Sequence, residues 1–175
     1  LIVYTQGIHQ PRNDAEATSR GNFENGRLVV LVDEYSASAS EIVSGAIQDW
    51  DRGVVVGRRT FGKGLVQSIR PVGYGGNIKV TMAKYYTPSG RCVQALDYSH
   101  RNEDGSVGRI PDSLTTAFKT ANGRIVRDGG GVLPDSVTTD SRKLNIAYYI
   151  LMQNHYFDYA TRYAQKHKSI ASPDK

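Results

Sequence analysis

Leu28-Val-Val-Leu-Val-Asp33, Ser36-Ala-Ser-Ala-Ser-Glu-Ile42 running on to Trp50, and Gly53-Val-Val-Val-Gly57 stand in this order along the chain. The first and last are short, continuous aliphatic runs, the pattern of strands buried on both faces. The middle segment carries Ile42, Val43, Ala46 and Ile47, with Trp50 a turn further on. That is helical spacing. Strand, helix and strand within about thirty residues make a βαβ unit, hence parallel strands joined by a right-handed crossover. The fold class that follows is α/β.

Upstream, Leu1-Ile-Val-Tyr-Thr5 reads as a strand entered partway. It has no Met, basic n-region or small-residue cleavage site, so it is not a signal peptide. The chain is therefore expected to begin inside a larger protein. Residues 9–26, polar and rich in Pro, Asn and Gly, read as a surface loop. Downstream, Leu65–Val72 and Ile78–Tyr86 are strand-like runs joined by Gly73-Tyr-Gly-Gly-Asn77, an added antiparallel hairpin. Residues 97–113 read as a long polar loop, and Phe118–Val126 as a small hairpin about Asn122-Gly123. A glycine-rich turn runs from Asp128 to Asp135. Lys143 to Lys168 is helical, with Leu144, Ala147, Tyr148 and Leu151 on one face and a break near Asn154-His155. The tail from Ile170 to Lys175 is expected to fray.

The 175 residues include 39% hydrophobic and 22% charged side chains, ordinary for a globular domain with a real core. A net charge of +5 raises nucleic acid as a partner, but the basic residues are scattered and no aromatic residues interleave them. No nucleic-acid partner is expected. One cysteine, Cys92, excludes an internal disulfide and a cysteine-rich metal site. It reads as incidental rather than as a catalytic thiol. The histidines, His9, His100, His155 and His167, lie far apart, so no zinc site is expected.

Two residues stand out chemically. Ser38 lies at the junction of the first strand and the helix. By itself, Ser38-x-x-Glu41 reads as a capping box, with Ser38 capping the helix and Glu41 reaching back. The same position would also expose a nucleophilic hydroxyl and place the Ala39 amide at a helix N-terminus, where it can meet developing negative charge. Ser36 and Ser40 remain alternatives as cap or nucleophile. A serine needs a base, and Lys63 qualifies. It stands between Gly62 and Gly64, close to Phe61, and burial beside apolar groups favours the neutral amine that accepts a proton. A plain surface lysine is the commoner explanation of such a residue. Gly57-Arg-Arg-Thr-Phe-Gly62-Lys63 also matches a phosphate-binding loop, but Gly64 replaces the Ser or Thr that would hold magnesium and strand character follows instead of a helix. That alternative is set aside.

Ser36-Ala-Ser-Ala-Ser-Glu-Ile42, Gln48-Asp49, Val56-Gly-Arg-Arg-Thr-Phe-Gly-Lys-Gly64, Gln67, Thr87-Pro-Ser-Gly-Arg91 and Gly130-Gly-Val-Leu-Pro-Asp135 together resemble the S41 carboxyl-terminal processing (tail-specific) proteases. The resemblance covers roughly residues 27–140. It implies a serine endopeptidase acting near protein C-termini through an acyl-enzyme, with Ser38 as nucleophile, Lys63 as base, Gln67 orienting the lysine and Ala39 lending an oxyanion-hole amide. It implies a ClpP/crotonase-like spiral core spanning 1–140, with 141–175 a C-terminal helical segment. No metal or cofactor is implied. The substrate would bind as an added strand, in a periplasmic or secreted enzyme, and a membrane-associated parent protein stays open. The family's upstream glycine-rich segment, which supplies a second oxyanion amide, and its PDZ domain would precede Leu1. The isolated chain is accordingly expected to be nearly inactive. The rival of the same fold is a non-catalytic peptide-binding protein; the presence of Ser38, Lys63 and Gln67 together argues against it.

Overall fold

The computed structural model describes residues 1–139, 145–167 and 169. An antiparallel pair, β1 (Val3–Gly7) and β2 (Gln10–Ala15), precedes strand β3 (Val29–Val32), helix α1 (Ala39–Asp49) and strand β4 (Val54–Gly57). A long hairpin follows, β5 (Leu65–Pro71) with β6 (Asn77–Tyr86). Two short hairpins come next, β7 (Leu96–Arg101) with β8 (Val107–Arg109), and β9 (Ala117–Lys119) with β10 (Ile125–Arg127). β11 (Ser136–Val137) closes the first unit, Leu1–Thr138. Helices α2 (Asn145–Met152) and α3 (His155–Lys166) belong to the second, Thr139–Lys175.

β3 and β4 run parallel in register from Val29↔Val54 to Val32↔Gly57, and β11 lies parallel on the other side of β4. A second sheet has the order β2-β1-β6-β5, with all its pairs antiparallel. The architecture is mixed α/β. Its core is small: Val32, Val55, Val93 and Val132, with Val30 against them. Val55 and Val132 are completely buried, each contributing about 1.5–3 kcal/mol through burial.

Four expectations change. The aliphatic strands are buried on one face only: Val29 is 59% and Leu31 78% exposed, because among the described residues of this unit nothing covers the face opposite the core. The buried side of α1 is largely polar. Glu41, Ser44, Gln48 and Asp49 are inside, whereas Val43 and Trp50 face solvent. Part of the 9–26 loop is strand β2, which is polar on both faces and so lacks the alternation that marks a half-buried strand. The 97–113 loop is largely the β7–β8 hairpin, turned at Asn102–Ser106. The C-terminal helix breaks at Gln153-Asn154, as the pattern indicated. Lys143, Leu144, Lys168 and the tail from Ile170 lie outside the described residues.

The Gly130–Asp135 motif acts as a clamp on β4. Asp135 donates its N–H to the Val55 carbonyl at 2.8 Å and accepts the Val55 N–H on Oδ2 at 2.8 Å. Gln48 on α1 donates to Asp135 Oδ1 and to the Leu133 carbonyl, both at 2.9 Å. Arg124 completes the set. Burial alone pushes the Asp135 carboxyl up, but the Val55 amide, Gln48 and Arg124 outweigh it and hold it below its ordinary value. A carboxyl depressed in the folded state adds stability above its unfolded value, lost as pH falls through the folded one. Asp135→Asn should therefore lower the urea midpoint at pH 7, and the gap to wild type should close as pH falls below about 4. A gap unchanged at about pH 3 would contradict a charge-dependent clamp.

Candidate active site

β3 delivers the chain to a tight turn. Ser36 is consumed there: its N–H donates to Asp33 Oδ1 at 3.1 Å, its hydroxyl donates to the same oxygen at 3.2 Å, and that hydroxyl accepts the Asp33 N–H at 3.1 Å. Ser38 follows as the residue before α1, with φ 56° and ψ −114°. That conformation lies outside the left-handed helical well and is sparsely populated by any residue with a Cβ, costing about 1–3 kcal/mol. Such strain persists only where the surroundings impose it. Here the Ser38 carbonyl accepts the Glu41 and Ile42 amides at 2.9 and 3.0 Å, and the Ser38 N–H is held by the Glu41 side chain. The Glu41 amide thus has a backbone acceptor, and the capping box read from the sequence is present, with the Ser38 side chain facing that same amide. Ala39 opens the helix, where the first amides have no intrahelical acceptor.

Glu41 does far more than complete a capping box. It is 0% exposed, and four donors converge on its two carboxylate oxygens. Oε2 accepts the Ser38 N–H at 2.9 Å and the Lys63 N–H at 2.8 Å. Oε1 accepts the Gly62 N–H at 2.7 Å and the Thr60 hydroxyl at 2.5 Å. The backbone of Ser38 and that of Lys63 therefore meet at one oxygen atom. A third link, Phe61 N–H to the Ser36 carbonyl at 3.0 Å, runs alongside.

The glycines of the phosphate-loop-like stretch are explained by packing. Gly57 ends β4 at φ 135°, where a Cβ would fall 1.9 Å from the Val32 carbonyl oxygen. Gly62 has φ 91°, and its Cβ would fall 2.2 Å from that of Ala95. Both positions require glycine because backbone passes against backbone. The lysine side chain between Gly62 and Gly64 is exposed, so the burial beside apolar groups expected from the sequence is not found.

Gln67 lies on β5, exposed, and its Nε2 donates to Thr81 Oγ1 at a long 3.4 Å. Lys63 and Gln67 line one hollow together with Phe61, Leu65, Leu96 and Tyr98. Ser38 is not among the residues lining it. The structure thus joins Ser38 to Lys63 through backbone, and Lys63 to Gln67 through a shared surface. Cys92 is largely buried, which pushes its thiol up and disfavours a reactive thiolate. Among the described residues no group of three or more His, Cys, Asp or Glu side chains is placed to hold a metal. The role of Glu41 as a bridge was missed from sequence. The available signal was an acidic residue at the third helical position paired with a glycine-flanked turn whose amides need an acceptor.

Residues 1–98 match the profile of "Peptidase family S41". A carboxy-terminal-processing protease of Bartonella bacilliformis is 51% identical over 69 residues, covering 39% of this chain and 16% of that protein. A chloroplastic C-terminal processing peptidase of Tetradesmus obliquus is 51% identical over 100 residues, covering 57% of this chain and 21% of that protein. Among solved structures, a photosystem II D1 C-terminal processing protease superposes with a TM-score of 0.55 at 29% identity, over 78% of this chain and 27% of its own. The chain thus spans about a fifth of the length of the relatives it matches.

The strain at Ser38 has a measurable consequence. Ser38→Gly and Ser38→Ala both lack the hydroxyl, but only glycine removes the Cβ penalty. The glycine variant should be the more stable by about 1 kcal/mol, a melting temperature about 2–4 °C higher. A glycine variant less stable than the alanine variant would contradict the strained geometry.

Proposed function

Because the chain belongs to peptidase family S41, we propose that it carries the nucleophile and base of a serine endopeptidase that hydrolyses peptide bonds near the C-termini of protein substrates. The observation that supports this most is the meeting of a strained Ser38 and the Lys63 turn on one Glu41 oxygen. Two segments, one bearing a hydroxyl at a strand-to-helix elbow and one bearing an amine on a glycine-flanked turn, are fixed against each other.

In this reading the Lys63 amine takes the Ser38 hydroxyl proton as the oxygen attacks the scissile carbonyl. The tetrahedral oxyanion is met by the Ala39 amide at the start of α1. Lys63 returns the proton to the leaving amine, and an acyl-enzyme on Ser38 remains. Water, deprotonated by Lys63, then releases the acyl group. Gln67 exchanges its long contact with Thr81 for the lysine amine and orients it. No metal or cofactor takes part.

The substrate binds as an added strand, and β5 is the natural acceptor. It is an edge of the four-stranded sheet, and it begins two residues after Lys63. A bound backbone would gain ladder hydrogen bonds independently of its sequence. The complete core is proposed to be a ClpP/crotonase-like spiral, to which β3, α1 and β4 contribute one turn. Localisation is proposed as periplasmic or secreted, following the family.

In the full-length protein, Ser38→Ala and Lys63→Ala should each lower kcat/KM on an unstructured protein by about 10,000-fold or more, with the folded state retained by circular dichroism. Gln67→Ala should lower kcat about 10–100-fold. Near-wild-type turnover by either dyad variant would reject the assignment.

A further inference from the structure

The lysine turn is held from two sides, and only one of them belongs to Glu41. On the other side the Gly64 N–H donates to Gln94 Oε1 at 2.8 Å. Gln94 is 8% exposed, and its Nε2 donates to the Leu96 carbonyl at 3.1 Å. The two partners fix the orientation of the side-chain amide, because the oxygen must face the Gly64 donor and the nitrogen the Leu96 acceptor. Backbone bonds flank this contact. Ala95 N–H donates to the Gly62 carbonyl at 3.0 Å, and Tyr85 N–H donates to the Gly64 carbonyl at 2.8 Å.

The peptide on each side of Lys63 therefore has its own anchor. Glu41 holds the amides of Gly62 and Lys63, and Gln94 holds the amide of Gly64. Together they set the planes of the two peptides flanking the Lys63 Cα, and so the direction in which its side chain leaves the backbone. Glycine neighbours cannot supply that constraint themselves, because they widen the accessible backbone conformations. Gln94 also lines the hollow that Lys63 and Gln67 share.

We infer that Gln94 is a positioning residue for the lysine base, acting through the Gly64 amide. This rests on the reading of Lys63 as the base. It adds an element to the site beyond Ser38, Lys63, Gln67 and Ala39. Gln94 touches neither substrate nor the reacting atoms in this account. Its effect is on kcat through the aim of Lys63, with substrate binding left alone.

The test uses the full-length protein and steady-state cleavage of an unstructured protein, with rates normalised to the folded fraction. Gln94→Met keeps the side-chain length and removes the acceptor, leaving a buried Gly64 N–H without a partner. It should lower kcat by about 10–100-fold, the cost of misplacing a catalytic group by about an ångström, with KM within about twofold. Gln94→Glu keeps an acceptor for Gly64 and should recover at least about tenfold of the kcat lost by the methionine variant. A Gln94→Met enzyme with kcat per folded molecule within about twofold of wild type overturns the inference, as does a kcat equal in the two variants. Ser38→Ala is measured in parallel. If it is inactive while Gln94→Met matches wild type, the positioning role alone fails. If Ser38→Ala retains turnover, the dyad fails and the role of Gln94 fails with it.

Discussion

The carboxylate of Glu41 is the constraint on which the site depends. A buried carboxylate is costly unless its lone pairs are met, and here Ser38, Thr60, Gly62 and Lys63 meet them. The same four donors would be stranded without it, each at about 1–3 kcal/mol. Acceptor and donors thus require one another, and the requirement brings together the end of β3, the start of α1 and the turn after β4. The strained backbone of Ser38, the glycine at 57 and the Thr60 hydroxyl all follow from bringing those segments this close. Thr60 extends the link, since its Oγ1 also accepts the Val132 N–H at 2.7 Å.

A second polar set carries α1 from behind. Arg91 and Asp49 form an ion pair at 2.9 Å with side chains 1% and 0% exposed. Arg91 also donates to Gln48 Oε1 at 2.7 Å, and Asp49 Oδ2 accepts the Ser89 N–H at 2.9 Å. A buried pair of this kind adds little over an apolar replacement, but loss of one partner is severe, about 3–5 kcal/mol. Its value lies in geometry. The Thr87–Arg91 turn and the Gly130–Asp135 loop both grip the same helix, whose N-terminus presents Ser38 and Ala39. Rigidity at the N-terminal end of α1 is supplied by polar contacts at the other end.

Sequence reading reached the architecture where hydrophobic pattern carries it. The aliphatic runs at 28–33 and 53–57 are parallel strands, the 65–86 hairpin forms, and Asn122-Gly123 turns the β9–β10 hairpin. It misjudged strands without alternation, β2 and β7, because their side chains are polar on both faces or follow no period of two. It also assigned α1 an apolar inner face. Glu41, Gln48 and Asp49 are inside because backbone amides, Asp135 and Arg91 meet them across sequence separations that no local pattern encodes. Ser38 and Lys63 were legible as a pair only through their shared motifs and spacing. Taken alone, Ser38 reads as a helix cap before it reads as a nucleophile.

The measurement that bears most directly on the account is amide hydrogen exchange at Ser38, Gly62 and Lys63, in the wild-type protein and in Glu41→Gln. The Ser38, Gly62 and Lys63 amides are held by a side chain instead of a β-ladder, so their protection reports on Glu41 itself. All three should be protected in the wild type. Glutamine fills the same volume but turns an NH2 group toward one of the two donor pairs, so protection should fall either at Ser38 and Lys63 together or at Gly62, while β5–β6 amides stay protected. Three amides that exchange freely in the wild type, or that keep their protection in Glu41→Gln, would contradict the claim that one carboxylate joins the serine elbow to the lysine turn.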